Sequence, residues 1–112
     1  MQTIMKKIIA IDFDGTITKE STYPKIGEIR QEAIEVIKAL SKYYILCLWT
    51  CRSGNFLIEA INALKSKGII FEYVNDSPIT PPGTRKIIAD YYIDDRVITS
   101  SVDWKKIRKE LL

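Results

Sequence analysis

Apolar residues along this chain fall into short unbroken runs that alternate with stretches of helical spacing. Residues 6–13, centred on Ile8-Ile9-Ala10-Ile11, predict a buried strand. Residues 15–27 hold Gly15, Pro24 and Gly27 among scattered polar residues and predict a loop or small flap. From Glu28 to Lys42, Ile29, Ala33, Val36, Ile37 and Leu40 recur at helical spacing. Tyr43 to Trp49 is a second, β-prone run. Ser53-Gly54 then opens a helix with Leu57, Ala60, Ile61 and Leu64 on one face and Gly68 as its C-cap. Ile69 to Val74 reads as a third strand, and residues 75–85, with Pro78, Pro81, Pro82 and Gly83, as a loop. Lys86 to Asp90 suits a helical turn, Tyr91 to Asp94 a fourth strand, and Ser100 to Leu112 a last helix with Trp104, Ile107 and Leu111 on its apolar face.

Strands that alternate with helices and are apolar throughout argue for an α/β fold: a parallel sheet covered on both faces, with right-handed crossovers. The 112 residues suit a single domain, 1–112. No apolar run reaches the roughly 20 residues of a membrane helix, and the N-terminus lacks the layout of a signal peptide. These features predict a cytoplasmic protein with no membrane partner.

Composition narrows the chemistry. The chain has no histidine, which excludes Ser-His, Cys-His and His-metal sites. Catalysis is left to carboxylates, hydroxyls, thiols, lysines or a hard metal held by oxygen. Cys47 and Cys51 flank a strand end, four residues apart and so about 13 Å apart, too far to bridge. Without a histidine Cys51 reads as an ordinary thiol, and Trp49 and Trp104 read as core. The net charge of +3 is mild, and the basic run Lys105-Lys106-Ile107-Arg108-Lys109 reads as a solvated helix face.

Ligands of open α/β sheets bind beyond the carboxyl ends of the strands, so the residues there carry the functional signal. Strand one ends Asp12-Phe13-Asp14, strand two Thr50-Cys51-Arg52-Ser53-Gly54, and strand four Asp94-Asp95-Arg96. Four carboxylates at one edge repel one another unless a divalent cation joins them. Magnesium fits an all-oxygen donor set and polarises a phosphoryl group. Thr50 and the amides of the following helix suit phosphate oxygens. Arg52 reads equally as a contact to substrate phosphate or to the residues that hold it, or as a surface ion pair, Ser53 as an N-cap, Arg96 as the partner of an acid, and Tyr23 as a candidate substrate contact from the flap. Lys86, just before strand four, is either an added cation at this edge or an exposed lysine.

The segment "DFDGT" resembles the first motif of the haloacid dehalogenase (HAD) superfamily, mostly phosphohydrolases. "LWT", ending at Thr50, is similar to the second motif, and "YYIDDR" to the acidic pair of the fourth. The resemblance implies a three-layer Rossmann-like sheet of order 5-4-1-2-3. It implies Asp12 as nucleophile through an aspartyl-phosphate, and Asp14 as proton donor and later base. Mg²⁺ would be held by Asp12, the backbone carbonyl of Asp14, and Asp94, with Asp95 as a further ligand or behind them. Thr50 would bind the transferring phosphoryl group, and Lys86, or failing it Lys65 or Lys67, would be the lysine of the third motif.

Members of this superfamily commonly insert a cap domain. Here Asp14 and Thr50 enclose 35 residues, and Thr50 and Lys86 another 35, all needed for core elements. The chain is expected to lack a cap. Its substrate is expected to be a phosphorylated small molecule, with a nucleic-acid 3′ end as the alternative because "TCR" and "IDDR" resemble the phosphatase part of bacteriophage polynucleotide kinases. A homo-oligomer closing the site through flap residues such as Tyr23 and Ile26 is a further expectation. A non-catalytic HAD-like metal-binding module is the alternative outside enzymes.

Overall fold

The computed structural model describes residues 6–98 and 101–112. Its elements run β1 (Ile8–Ile11), α1 (Gln31–Leu40), β2 (Ile45–Leu48), α2 (Gly54–Ser66), β3 (Tyr73–Val74), β4 (Tyr91–Ile93) and α3 (Trp104–Leu111). The strands form one parallel sheet of order β3-β2-β1-β4. The register sets Ile11 beside both Leu48 and Ile93, so three strands end level with one another.

Alternation along β1 divides the core. Ile9 and Ile11 face one side with Leu46, Leu48 and Ile93, and this side meets Ala33 and Ile37 of α1, Ala60 and Leu64 of α2, and Trp104 of α3. Ile8 and Ala10 face the other side with Cys47, where the cover is Ile87 and Ala89 from the segment before β4. All three helices therefore lie against one face. The second face carries no helix among the described residues, which corrects the expected three-layer arrangement. The sheet likewise ends at β4 among those residues, where the resemblance implies a fifth strand.

Several boundaries shift for identifiable reasons. α1 begins at Gln31 rather than Glu28 because the preceding residues pair backward: the Lys19 amide donates to the Glu28 carbonyl, the Arg30 amide to that of Ile17, and Thr18 bridges Ile29 antiparallel. Residues 15–30 thus form a small pinned flap, not a folded cap. β3 is shorter than expected because Ile69 serves the end of α2. Gly68, with φ +80°, lets its own amide reach Lys65 O and that of Ile69 reach Leu64 O, the double bond pattern of a Schellman cap. The helical turn expected at Lys86–Asp90 is absent; that segment is irregular, with bends at Lys86 and Asp90, and it buries Ile87, while the Tyr92 hydroxyl donates to the Ile87 carbonyl and accepts from the Ala89 amide. α3 starts at Trp104 behind an Asp103 cap that accepts from the amides of Lys105 and Lys106; the expected start at Ser100 lies outside the described residues. The basic face of α3 is solvated, with Lys105 near Glu32 and Lys106 near Glu110.

Candidate metal and phosphoryl site

Asp12 follows β1 directly, and Asp94 and Asp95 follow β4. The ladder continues one step past the strands, the Asp12 amide donating to the Ile93 carbonyl at 2.9 Å, so the acids emerge side by side. One carboxylate oxygen from each of Asp12, Asp94 and Asp95 lies within 4.8 Å of the others. They line a cleft of about 430 Å³ with Asp14, Ser21, Tyr23, Thr50, Cys51 and Arg96.

A tight turn sets the floor. The amides of Thr16, Ile17 and Thr18 all point at the Phe13 carbonyl, and Gly15 takes φ +82°. A Cβ at Gly15 would collide with the Asp95 carboxylate, so the glycine provides both the turn and the seat of that acid. Thr16, wholly buried, donates from its hydroxyl to Asp12 at 2.9 Å, with Asp95 at 3.5 Å, and its carbonyl accepts from the Trp104 indole at 3.0 Å. Thr16 closes the "DFDGT" segment, and no contact is expected of it from sequence; a hydroxyl two residues past the acids is the available signal.

Burial pushes Asp12 up to about 7, and the charges of Asp94 and Asp95 add to the rise while the Thr16 hydrogen bond opposes it. Three close carboxylates with no nitrogen or sulfur donor among them suit a hard divalent cation such as Mg²⁺. The residues present therefore fit the ion that the resemblance implies.

Asp14 is placed differently. Its two oxygens accept from Arg52 Nε and Nη2, both at 2.7 Å. The other three guanidinium hydrogens go to the carbonyls of Pro24, Phe56 and Lys25. All five donors of Arg52 are thereby matched, and the side chain is 1% exposed. This corrects the expectation that Arg52 contacts substrate, because it has no donor left, and the ion pair it makes is buried rather than the surface pair expected. The Asp14 carboxylate also stands apart from the cluster of three, which leaves its backbone carbonyl as the group the resemblance assigns to the ion.

Thr50 faces the cleft from the end of β2. Its amide donates to Asn75 Oδ1 and its hydroxyl accepts from the Arg52 amide, so the hydroxyl hydrogen remains available to a ligand. Asn75, at φ 51°, was missed; an Asn after a strand, tolerant of left-handed backbone, was the signal. Ser53 occupies the N-cap of α2 without a side-chain cap bond. Arg96 borders the cleft, exposed and in no ion pair among the described residues; its amide donates to Asp94.

Lys86 does not reach this site. Its ammonium sits 5.6 Å from the Tyr92 ring centroid, on the face of the sheet that Ile87 covers, and it lines no part of the cleft. The physical reason is the path of residues 85–90, which lays Ile87 on that face. Lys65 and Lys67, the fallbacks, belong to the far end of α2 and also lie outside the cleft.

No protein-family model matches the chain, and no curated protein matches it. Among solved structures, a conserved protein coded by a locus from Bacteroides thetaiotaomicron superposes with a TM-score of 0.83 at 40% sequence identity. The alignment covers 93% of this chain and 88% of that one.

Proposed function

The chain belongs to the same family as the conserved Bacteroides thetaiotaomicron protein, and we propose for it a Mg²⁺-dependent phosphatase on a HAD-like scaffold, hydrolysing phosphomonoesters through an aspartyl-phosphate. The observation that carries this reading is the convergence of Asp12, Asp94 and Asp95 at the ends of two neighbouring parallel strands, with the Thr50 hydroxyl bordering the same cleft. The finer fold proposed with it is the Rossmann-like order 5-4-1-2-3, of which β4, β1, β2 and β3 form the 4-1-2-3 part.

In this reading Asp12, Asp94, Asp95 and the Asp14 carbonyl would hold Mg²⁺, which would supply charge neutralisation and polarise the phosphoryl oxygens. Asp12 attacks phosphorus as its bond to the ester oxygen breaks. Thr16, bonded to one Asp12 oxygen, fixes that carboxylate's rotation. Thr50 donates to a phosphoryl oxygen. Asp14 serves the proton transfers to the leaving oxygen and from the attacking water, its orientation set by the Arg52 fork. Water then releases phosphate and restores Asp12.

The substrate class is a phosphorylated small molecule, the protein is cytoplasmic, and a second copy closes the cleft. Ile26 is less suited to that contact than the sequence suggests, because it packs on the core. The open cleft with Arg96 at its border also favours the reading as a 3′-phosphatase on nucleic-acid ends. The position of Lys86 favours a third, a non-catalytic metal-binding module, since among the described residues no lysine borders the cleft. The deciding experiment is hydrolysis of a generic aryl phosphate with and without Mg²⁺, in the wild type and Asp12→Asn. Metal-dependent turnover that the substitution removes supports the phosphatase; Mg²⁺ binding without turnover supports the module.

A further inference from the structure

Phe13, Arg52 and Tyr23 touch in succession from the core outward. The guanidinium carbon of Arg52 lies 5.3 Å from the Phe13 ring centroid and 5.1 Å from that of Tyr23. Exposure along this series runs 0%, 1% and 53%. Tyr23 is further held by Phe56, whose ring meets it edge-on at 5.6 Å and 71°. The loop that carries Tyr23 is tied down as well, because Arg52 takes the carbonyls of Pro24 and Lys25. An exposed aromatic side chain ordinarily loses rotamer freedom when it grips a ligand. Here the ring already rests on Phe56 and on a cation that is buried and fully hydrogen-bonded, and it borders the cleft that holds Asp12.

From this we infer that Tyr23 is a stacking platform, and that the ester accepted at this site carries a flat ring in its leaving group. The guanidinium withdraws electron density from the tyrosine ring, which favours an electron-rich ring on its free surface. Within one chain, a small cleft with no inserted cap has few other places to gain binding energy from the part of the substrate that does not react. The inference rests on the phosphatase reading only for the phosphoryl end of the ligand; the ring contact stands on Tyr23 and its supports.

Phenylphosphonate and methylphosphonate, titrated calorimetrically into the full chain with Mg²⁺, test it without turnover. Phenylphosphonate is expected to bind about tenfold more tightly, the size of one stacking contact. Tyr23→Phe should keep that ratio and Tyr23→Leu should bring it close to one. Equal affinity of the two probes for the wild type, no measurable binding of either, or an unchanged ratio in Tyr23→Leu would overturn the inference. The phosphonate analogues of adenosine 5′-monophosphate and ribose 5-phosphate, compared in the same way, separate a nucleobase from a simple aryl group as the ring. Aryl phosphate turnover without ring preference would remove the platform and leave the phosphatase. Ring preference without turnover would do the reverse.

Discussion

The Asp14 carboxylate and the Arg52 guanidinium meet in a two-pronged ion pair, both contacts 2.7 Å, with the arginine side chain fully withdrawn from solvent. The pair joins the turn after β1 to the end of β2, and through the carbonyls of Pro24 and Lys25 it also fastens the flap. An arginine so placed shapes the site without touching a ligand. The Asp14 hydrogen bond raises its pKa further, so its charge is constant at any working pH.

Arg52→Ala should therefore act on stability first. It leaves a largely buried carboxylate and the Pro24 carbonyl without partners and takes one bond each from the carbonyls of Lys25 and Phe56, a loss of about 3–5 kcal/mol by analogy with other broken buried pairs. Urea unfolding of the wild type and variant measures it. Arg52→Lys restores the charge but not the fork and should fall between them. A variant with native stability and only a raised KM would mean that Arg52 contacts substrate after all.

The metal-free protein should lose stability as pH rises from about 4 to about 7. Asp12 has its pKa raised from 3.8 to about 7 on folding, so in this window the native state holds a proton that the unfolded chain has released. Stability is then highest below the unfolded value and declines through the folded one. Added Mg²⁺ should reverse the trend, because it binds the ionised form. Thermal melts across that range, in chelator and in excess Mg²⁺, report both slopes; parallel curves would exclude a cation at Asp12.

Asp12→Asn and Asp14→Asn should part company. The first removes the nucleophile and should abolish both turnover and phosphoenzyme. The second should still allow some phosphorylation of Asp12 by an activated aryl phosphate, whose leaving group needs no proton. Acid-quench trapping of the phosphoenzyme separates them, and equal, complete loss in both variants speaks against divided roles.

Lys86→Ala should change kcat/KM for an aryl phosphate by less than about twofold, a barrier difference under about 0.5 kcal/mol. Its ammonium lies on Tyr92 rather than in the cleft. A loss of a hundredfold or more would require residues 85–90 to rearrange when substrate binds.

The strand ends were legible because two features coincide there: apolar runs that stop abruptly, and acids that have no reason to follow them. Asp12, Asp94 and Asp95 converge as expected since neighbouring parallel strands in register deliver their next residues to one place. What the sequence concealed depends on chain path. Lys86 stands eight positions before Asp94, but only the burial of Ile87 determines which face it reaches. The Arg52 fork was equally hidden, because its three carbonyl partners come from a flap and a helix turn with no side-chain signature. Helix spacing in residues 31–40 could not reveal that residues 28–30 belong to the flap, since Ile29 satisfies both patterns.

The one-sided distribution of helices gives Cys47 the character of a clock. The thiol is buried against Ile8, Ala10 and Ile87, and burial, reinforced by the charges of Asp76 and Glu72, pushes it up to about 11. The thiolate that reacts with alkylating agents is thus suppressed while the segment carrying Ile87 stays down. Cys51, exposed, provides the fast reference in the same molecule. The slow phase of alkylation then counts how often the back of the sheet opens, separately from global unfolding.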